Sequence, residues 1–376
     1  MSASLFIGLM SGTSIDGVDA VLAGFSPTGG PALLASASLS MPEDLRQEFL
    51  ALNIPGHDEL RRAALAGNAL AELYAAATAN VLAQARVAPE HVTAIGAHGQ
   101  TVRHDPGSGY TVQINAPALL AERTGIPVIA DFRTRDVAAG GQGAPLVPAF
   151  HHAVFANGQP RAILNLGGIA NLTLLGADGG IRGFDTGPAN VLLDLWIHAQ
   201  TGLPYDAGGK WASTGKVNQD LLSFLLGSEP WLTAPPPKST GRDLFNLDWL
   251  RSRLETFRSQ GTAHSGRQLL SAPDVQATLQ RLTARTVALA LAEHARETQE
   301  VLVCGGGAFN DGLMADLRDE IACPVRPTSD ANVPVQSVEA LAFAWLAWAH
   351  VAEYSAGLPA VTGARHPNVL GCRYPA

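Results

Sequence analysis

Cysteine is scarce in this chain of 376 residues: Cys304, Cys323 and Cys372 stand far apart at irregular spacing. That spacing suggests neither a disulfide framework nor a cysteine-based zinc site, and it points to a reducing cytoplasm. Charge is sparse too, at 15% of residues, and acidic in balance, with a formal net charge of −8. Nucleic acid and anionic membrane surfaces are therefore not expected as main partners. The longest apolar run, Ala340 to Ala349, falls well short of the ~20 residues that span a bilayer. Before Asp16 no basic stretch precedes the apolar residues, so no secretory signal is read. Two familiar nucleotide motifs are missing as well. Around Gly215-Lys216 the Walker pattern fails on both sides, and no Gly-x-Gly-x-x-Gly opens a helix.

What the chain does have is an apolar majority interrupted by glycine-rich turns. With 47% hydrophobic residues it can bury a sizeable core, and its length allows roughly two or three domains. The first such turn lies in Phe6 to Ala20, where an apolar strand meets Ser11, Gly12, Thr13, Ser14, Ile15, Asp16 and Gly17 before a second strand near Val18. Glycine lets the backbone approach a ligand, and N–H groups with hydroxyls suit phosphate oxygens. Asp16 and Asp19 would repel phosphate unless a cation such as Mg²⁺ lay between. An ordinary hairpin turn fits these residues equally well. Strands then alternate with helices, the longest helical stripe running through Leu70, Leu73, Ala77, Val81 and Leu82. That alternation predicts an α/β fold, with polar groups at strand ends (His98-Gly99-Gln100, Asp131-Phe132-Arg133) as site candidates.

A second strand-turn-strand at Ala162 to Leu175, with Gly167-Gly168 at its tip, echoes the opening hairpin. A third strand, Ile181 to Phe184, ends at Asp185-Thr186-Gly187-Pro188, and Val301 to Cys304 breaks into Gly305-Gly306-Gly307 before a helix capped by Asn310 or Asp311. The echo predicts a duplicated domain with a cleft between the copies. Residues 136–149, rich in glycine, read as an interdomain crossing or a loop packed on a ligand. Asp185 could be a general base or could cap the next helix. Arg133 could clamp a carboxylate or phosphate, or pair with Asp131 or Asp136. Glu339 could simply complement a helix dipole. His98, His104, His151 and His152 read better as structural than as metal ligands, and Trp345 with Trp348 as core.

Taken together, Gly8 to Asp19, Ala97 to Thr101, Asp131 to Arg133, Gly140 to Pro148, Asn165 to Asn171, Phe184 to Pro188, Pro237 to Arg242, Glu339 to Trp345 and Leu358 to Gly363 resemble the anhydro-N-acetylmuramic acid kinases. Met10, where related folds usually carry Asp, fits that family's own pattern. The resemblance implies the two-domain actin-like fold of sugar kinases and Hsp70, with duplicated central mixed sheets around a cleft. Domain I is expected at residues 1–134 with 355–376, and domain II at 135–354. The implied reaction uses ATP and water to open the 1,6-anhydro bond and phosphorylate O6, in recycling of cell-wall murein. Asp185 is then the catalytic base. Gly12, Thr13, Ser14, Ile15, Asp16, Gly17, Val18 and Asp19, with Gly167 and Gly168, serve the phosphates, and Gly305, Gly306 and Gly307 the adenosine. His98, Gly99, Gln100, Arg133 and Glu339 lie on the sugar side. Mg²⁺ is implied without assigned ligands, the partners are small molecules rather than nucleic acid or membrane, and a homodimer is compatible. A kinase for an ordinary sugar hydroxyl and an ATP-binding interaction protein are the rival expectations.

Overall fold

A computed structural model describes residues 3–376 apart from 13–14, 27–28, 237, 242 and 262–269, and apart from the side chains of 29, 30, 260 and 261. The strands in chain order are β1 (Ser4–Met10), β2 (Gly17–Ser26), β3 (Gly29–Ser40), β4 (Val92–Ala97), β5 (Gln100–Asp105), β6 (Tyr110–Ile114), β7 (Val128–Ala130), β8 (Arg161–Leu166), β9 (Ile169–Leu175), β10 (Ile181–Pro188), β11 (Glu300–Cys304), β12 (Val325–Pro327) and β13 (Cys372–Tyr374). They fall into two compact units, Met1–Phe155 with Ser337–Ala376, and Ala156–Gln336.

The first unit is built on a six-stranded sheet of order β13-β7-β4-β1-β2-β3. Strands β1, β2 and β3 form an antiparallel meander, and β4 then pairs parallel to β1 and β7 parallel to β4. From Ile7 to Met10, β1 is buried on both faces, which is why it reads as a continuous apolar run. The long helix Glu59–Ala85 turns Leu70, Tyr74, Ala77 and Val81 into the core beneath one face. On this helix the apolar positions recur every three or four residues, so one stripe can be buried along its length.

The helix Val338–Val351 packs on β1, β2 and β4. It meets the sheet through a glycine pair: Gly8 and Gly96 are directly opposite in the β1–β4 register. A Cβ on Gly8 would stand 2.5 Å from the Ala344 nitrogen, and one on Gly96 would stand 2.8 Å from the Phe343 carbonyl carbon. Only bare backbone lets this helix lie so close.

The second unit repeats the plan. Its five-stranded sheet has the order β10-β9-β8-β11-β12, with β8, β9 and β10 antiparallel and β8, β11 and β12 parallel. Number the strands of each sheet by appearance, leaving out β13 and the separate β5–β6 hairpin, and both read 3-2-1-4-5. This duplicated mixed sheet is the two-domain actin-like α/β fold. The helix Ala272–His294 starts with a capping box between Ser271 and Asp274, with Pro273 in its first turn. Its apolar face joins Trp196, Leu221, Leu225, Phe245 and Leu254 in a helical core of its own.

The unit boundaries correct the expected domains. Residues 135–155 and 337–354 belong with the first unit, not with the second. The physical reason is Val338–Val351: its all-round apolar surface is satisfied by β1, β2 and β4 on one side and by the helix Val147–Phe155 on another. Nor is the glycine-rich stretch 136–149 a crossing between domains. It is held inside the first unit by Asp136, described below. Among the described residues no helix is long and apolar enough to cross a membrane.

Candidate active site

In the first unit the sequence-predicted residues gather where β1, β4 and β7 end. Gln100 staples the opening turn: its Oε1 accepts from Ser11 Oγ at 2.5 Å, and its Nε2 donates to the Gly12 carbonyl at 3.2 Å. The Gly12 carbonyl also accepts from Ile15 N–H at 3.2 Å, closing a tight turn. Ile15 takes a φ of 54° to do so, a left-handed conformation that a β-branched residue adopts only under strain. The side chains of Ile15 and Val18 lie in the core, so these two can offer a ligand only backbone. Gly17 is needed for a different reason, since a Cβ there would stand 2.5 Å from the Leu39 carbonyl oxygen. Thr13 and Ser14 fall outside the described residues.

Arg133 follows β7 and is oriented from two sides. Its Nε and Nη2 donate to His98 Nε2 at 3.2 and 3.0 Å, and its Nη1 donates to the Gly143 carbonyl at 2.8 Å. His98 Nδ1 lies 3.1 Å from the Ser11 carbonyl, which can only accept. The imidazole must therefore carry its proton on Nδ1 and stay neutral, and burial followed by the Arg133 charge pushes its pKa down to about 3. With its acceptor nitrogen taken, His98 cannot ligate a metal. What it contributes is the position of Arg133. Gly99, at φ 80°, supplies the turn that sets His98 against β1, and a Cβ there would stand 2.8 Å from the Ile114 carbonyl oxygen.

The guanidinium makes no ion pair with Asp131 or Asp136 among the described residues. Burial draws its pKa down to about 10, opposed first by the charge of Glu339 and then by that of Asp136. Its five N–H donors exceed what His98 and Gly143 consume, so it can still take a carboxylate or phosphate. Glu339, in the first turn of Val338–Val351, has its pKa raised by burial and by Asp19, lowered by Arg133, and raised again by Asp16. Asp19 accepts from Ser38 Oγ at 2.5 Å across the β2–β3 pair. Its pKa rises through burial, against the pull of Ser38, with a further push from Asp16. Asp16, Asp19 and Glu339 thus feel one another's charge, although no cluster of three or more ligating side chains able to hold a metal occurs among the described residues.

Asp136 was missed as a site residue. It is fully buried, its Oδ2 accepts from Gly143 N–H at 2.7 Å, and its Oδ1 accepts from Thr362 Oγ1 at 2.8 Å. It thereby fixes the Gly143 carbonyl that holds Arg133. The surrounding glycines were the available signal: a Cβ on Gly141 would stand 2.8 Å from the Asp136 carboxyl carbon.

In the second unit the β8–β9 turn, β10 and the end of β11 come together. The carbonyls of Gly167 and Gly168 accept from the N–H groups of Asn190 at 3.1 Å and of Ala189 and Val191 at 2.9 and 3.0 Å, so the turn sits on the start of the helix Asn190–Thr201. The glycines after β11 divide by role. Gly305 has φ 82° and would bring a Cβ to 2.5 Å from Asn165 Oδ1, and Gly307 to 2.6 Å from Leu166 Cβ. Both are close-packing positions against β8. At Gly306 an added Cβ would meet only Asn190 Nδ2, at 3.8 Å, an ordinary contact, and the residue is exposed.

Asp185 lies on β10 opposite Asn171, at a register shift that leaves Thr186 as the extra residue. It does not cap the following helix, which begins at Asn190 behind its N-cap Ala189. Instead its Oδ2 accepts from Thr240 N–H at 2.9 Å, while its own N–H donates to the Lys238 carbonyl at 3.2 Å. Burial raises its pKa to about 6, against the pull of the Thr240 N–H and of Lys238. A carboxylate poised there is basic enough to take a proton from water near neutrality.

The repeated sheets, each with glycine turns at its strand ends, define an actin-like two-domain α/β protein. A family model described as anhydro-N-acetylmuramic acid kinase matches residues 4–376. The anhydro-N-acetylmuramic acid kinase of Bordetella pertussis is 63% identical over 372 residues, covering 99% of this chain and 96% of that protein. That of Cupriavidus metallidurans is 51% identical, covering 100% and 98%, and that of Pseudomonas paraeruginosa is also 51% identical, covering 99% of each. The chain belongs to the anhydro-N-acetylmuramic acid kinase family.

Proposed function

We propose that this chain uses ATP to open the 1,6-anhydro bond of anhydro-N-acetylmuramic acid with water and to phosphorylate O6, yielding N-acetylmuramic acid 6-phosphate and ADP in cell-wall murein recycling. The observation that carries the reading, beside the full-length family match, is the raised carboxylate of Asp185, held by one oxygen. In the anhydro sugar O6 is bonded to C1, so it is not a hydroxyl that a base can deprotonate. Water attacks C1 and gives a proton to Asp185. The C1–O6 bond breaks, and O6 takes the γ-phosphoryl group as ADP departs. General-base assistance of this kind contributes typically ~10²–10⁴ in rate.

In the first unit the backbone N–H groups of Gly12 and Gly17 suit phosphate oxygens; in the second that of Gly306 suits ribose oxygens, and Gly167 with Gly168 offer the phosphates a turn seated on the helix Asn190–Thr201. Arg133 is suited to the sugar's lactyl carboxylate, with Glu339 beside it as a hydrogen-bond partner for sugar hydroxyls. Mg²⁺ fits the first unit's acidic turn, because this ion keeps much of its water and needs only one or two carboxylates besides phosphate. Asp16 and Asp19 would hold it, and when bound it offsets charge on the phosphoryl oxygens. The three cysteines are free thiols, which fits a reducing cytoplasm.

Turnover in ¹⁸O-labelled water tests the reaction. At early times label is expected on the anomeric carbon and none in the O6–phosphate linkage, with an unlabelled-water control for exchange by ring opening. Label in phosphate would make the chain an ATPase, and label in neither position an ordinary sugar kinase. A glycine pair tests the nucleotide assignment. Gly306→Ala is expected to raise KM for ATP several-fold with an unchanged melting temperature. Gly305→Ala, at a left-handed φ with a close contact, is expected to cost on the order of 1–3 kcal/mol of stability. Unchanged ATP affinity in Gly306→Ala would remove that backbone from the nucleotide site.

A further inference from the structure

Lys238 has no role in the reaction as described, yet it is the anchor of the segment that touches Asp185. Its Nζ donates to the carbonyls of Trp231 and Leu232, at 3.3 and 2.9 Å, and stands 4.6 Å from the centre of the Trp231 ring. The Trp231 ring is itself set edge-on against the buried Phe245, with centroids 5.8 Å apart. The ammonium is thus clamped on a short helical turn, Pro230–Thr233, that packs in the second unit's helical core. From that clamp the chain runs along β10: Asp185 N–H donates to the Lys238 carbonyl, and Thr240 N–H donates to Asp185 Oδ2 at 2.9 Å. These two bonds bracket Asp185, one on its backbone and one on its side chain.

We propose that Lys238 is a positioning residue: by tying its ammonium to the Trp231 and Leu232 carbonyls it holds the Lys238–Thr240 segment against β10, so that Thr240 N–H fixes Asp185 Oδ2 and only Oδ1 is presented to water. The inference rests on the reading of Asp185 as general base. A carboxylate free to rotate would offer either oxygen in many orientations, and fixing one leaves Oδ1, held in one orientation, for the incoming proton. The charged and titratable groups involved are few. Asp185 faces Thr240 and Lys238; Lys238 is drawn below the ordinary lysine range by burial, against the pulls of Glu293 and Asp185.

The test is steady-state kinetics across pH on Lys238→Met and Lys238→Arg, beside Asp185→Asn. Methionine keeps the stem that packs on Trp231 but loses both hydrogen bonds and the charge. Its kcat is expected to fall about 10- to 100-fold, with KM for ATP changed less than about threefold. Its acidic limb should also move to higher pH, because a nearby cation no longer favours the carboxylate. Arginine, which restores charge and donors, should bring the limb back and recover most of kcat. If Lys238→Met does not fold, Lys238→Gln, which keeps an N–H donor without charge, reads the same limb. A limb that stays in place in a folded, neutral variant overturns the proposal, as does an unaltered kcat. If Asp185→Asn is inactive while Lys238→Met behaves as wild type, this inference alone fails. If Asp185→Asn keeps full turnover, the general-base reading falls first.

Discussion

Replacing Asp185 with asparagine is expected to lower kcat by at least ~10²-fold, the lower end for a lost general base, while leaving the protein no less stable. The two halves of this expectation come from the same physical fact. Burial has pushed the Asp185 carboxyl from its ordinary value of 3.8 to about 6, so its charged form is less comfortable in the folded protein than in the unfolded chain. The native state holds the proton through a pH range where the unfolded state has released it. Stability from this group is therefore fully present below about pH 3.8 and is lost as pH rises through about 6. An asparagine still accepts from Thr240 N–H and carries no charge to bury. Its melting temperature should equal or exceed that of the wild type at pH 8, with the difference vanishing near pH 4. Activity has the opposite sign: the working form is the carboxylate, so the wild-type rate should fall as pH drops below about 6. Calorimetry and a pH–rate profile on the same two proteins check both signs. An Asn variant that is inactive because it melts early would make Asp185 a structural residue.

Much of this candidate site was legible in the sequence because several of its members stand beside glycine or proline at or near strand ends. His98 before Gly99 and Gly305 after Cys304 announce themselves as the ends of β4 and β11, and Asp185 by the Thr-Gly-Pro after it, although β10 runs on through Pro188 with a register shift there. The residues that orient them do not. Thr240 reaches Asp185 across 55 positions with a backbone N–H, a group every residue but proline has, so no side-chain pattern marks it. Asp136 meets Thr362 across 226 positions, and its neighbouring glycines suggested a crossing only because small residues fit both a linker and a packed loop. His98 and Arg133 were each singled out, but that one fixes the protonation of the other follows from distances alone. The duplication was readable as an echo of hairpins. Its boundaries were not, since an all-round apolar helix such as Val338–Val351 declares that it is buried without declaring against what.

That helix carries the second large expected effect. Gly96→Ala and Gly8→Ala should each cost about 2–3 kcal/mol or more, at the upper end of overpacking substitutions, and lower the melting temperature by several degrees. The added methyl has nowhere to go. At Gly96 it would overlap the Phe343 carbonyl and stand 3.1 Å from Ala347 Cβ, and at Gly8 it would overlap the Ala340 carbonyl. These neighbours are helix backbone, which cannot swing aside as a side chain can, so the whole of Val338–Val351 must lift or tilt. Glu339 is in the first turn of that helix and feels Arg133, Asp19 and Asp16. A lifted helix carries it away from them, so kcat should fall along with stability. Gly24→Ala is the control on the same sheet: its nearest atoms are Ala3 Cβ, at 3.3 Å on an exposed residue before β1, and Leu5 Cδ2, at 3.6 Å on a side chain that can rotate. It should keep wild-type turnover and lose less than about 1 kcal/mol. If Gly96→Ala melts and turns over like Gly24→Ala, the close seat of the helix is not what sets Glu339 in place. The double variant Gly8→Ala with Gly96→Ala sharpens the point, since the two glycines are paired in register beneath one helix. Once the helix has lifted to clear one methyl, the second meets less resistance. The combined loss should therefore fall short of the sum of the single losses.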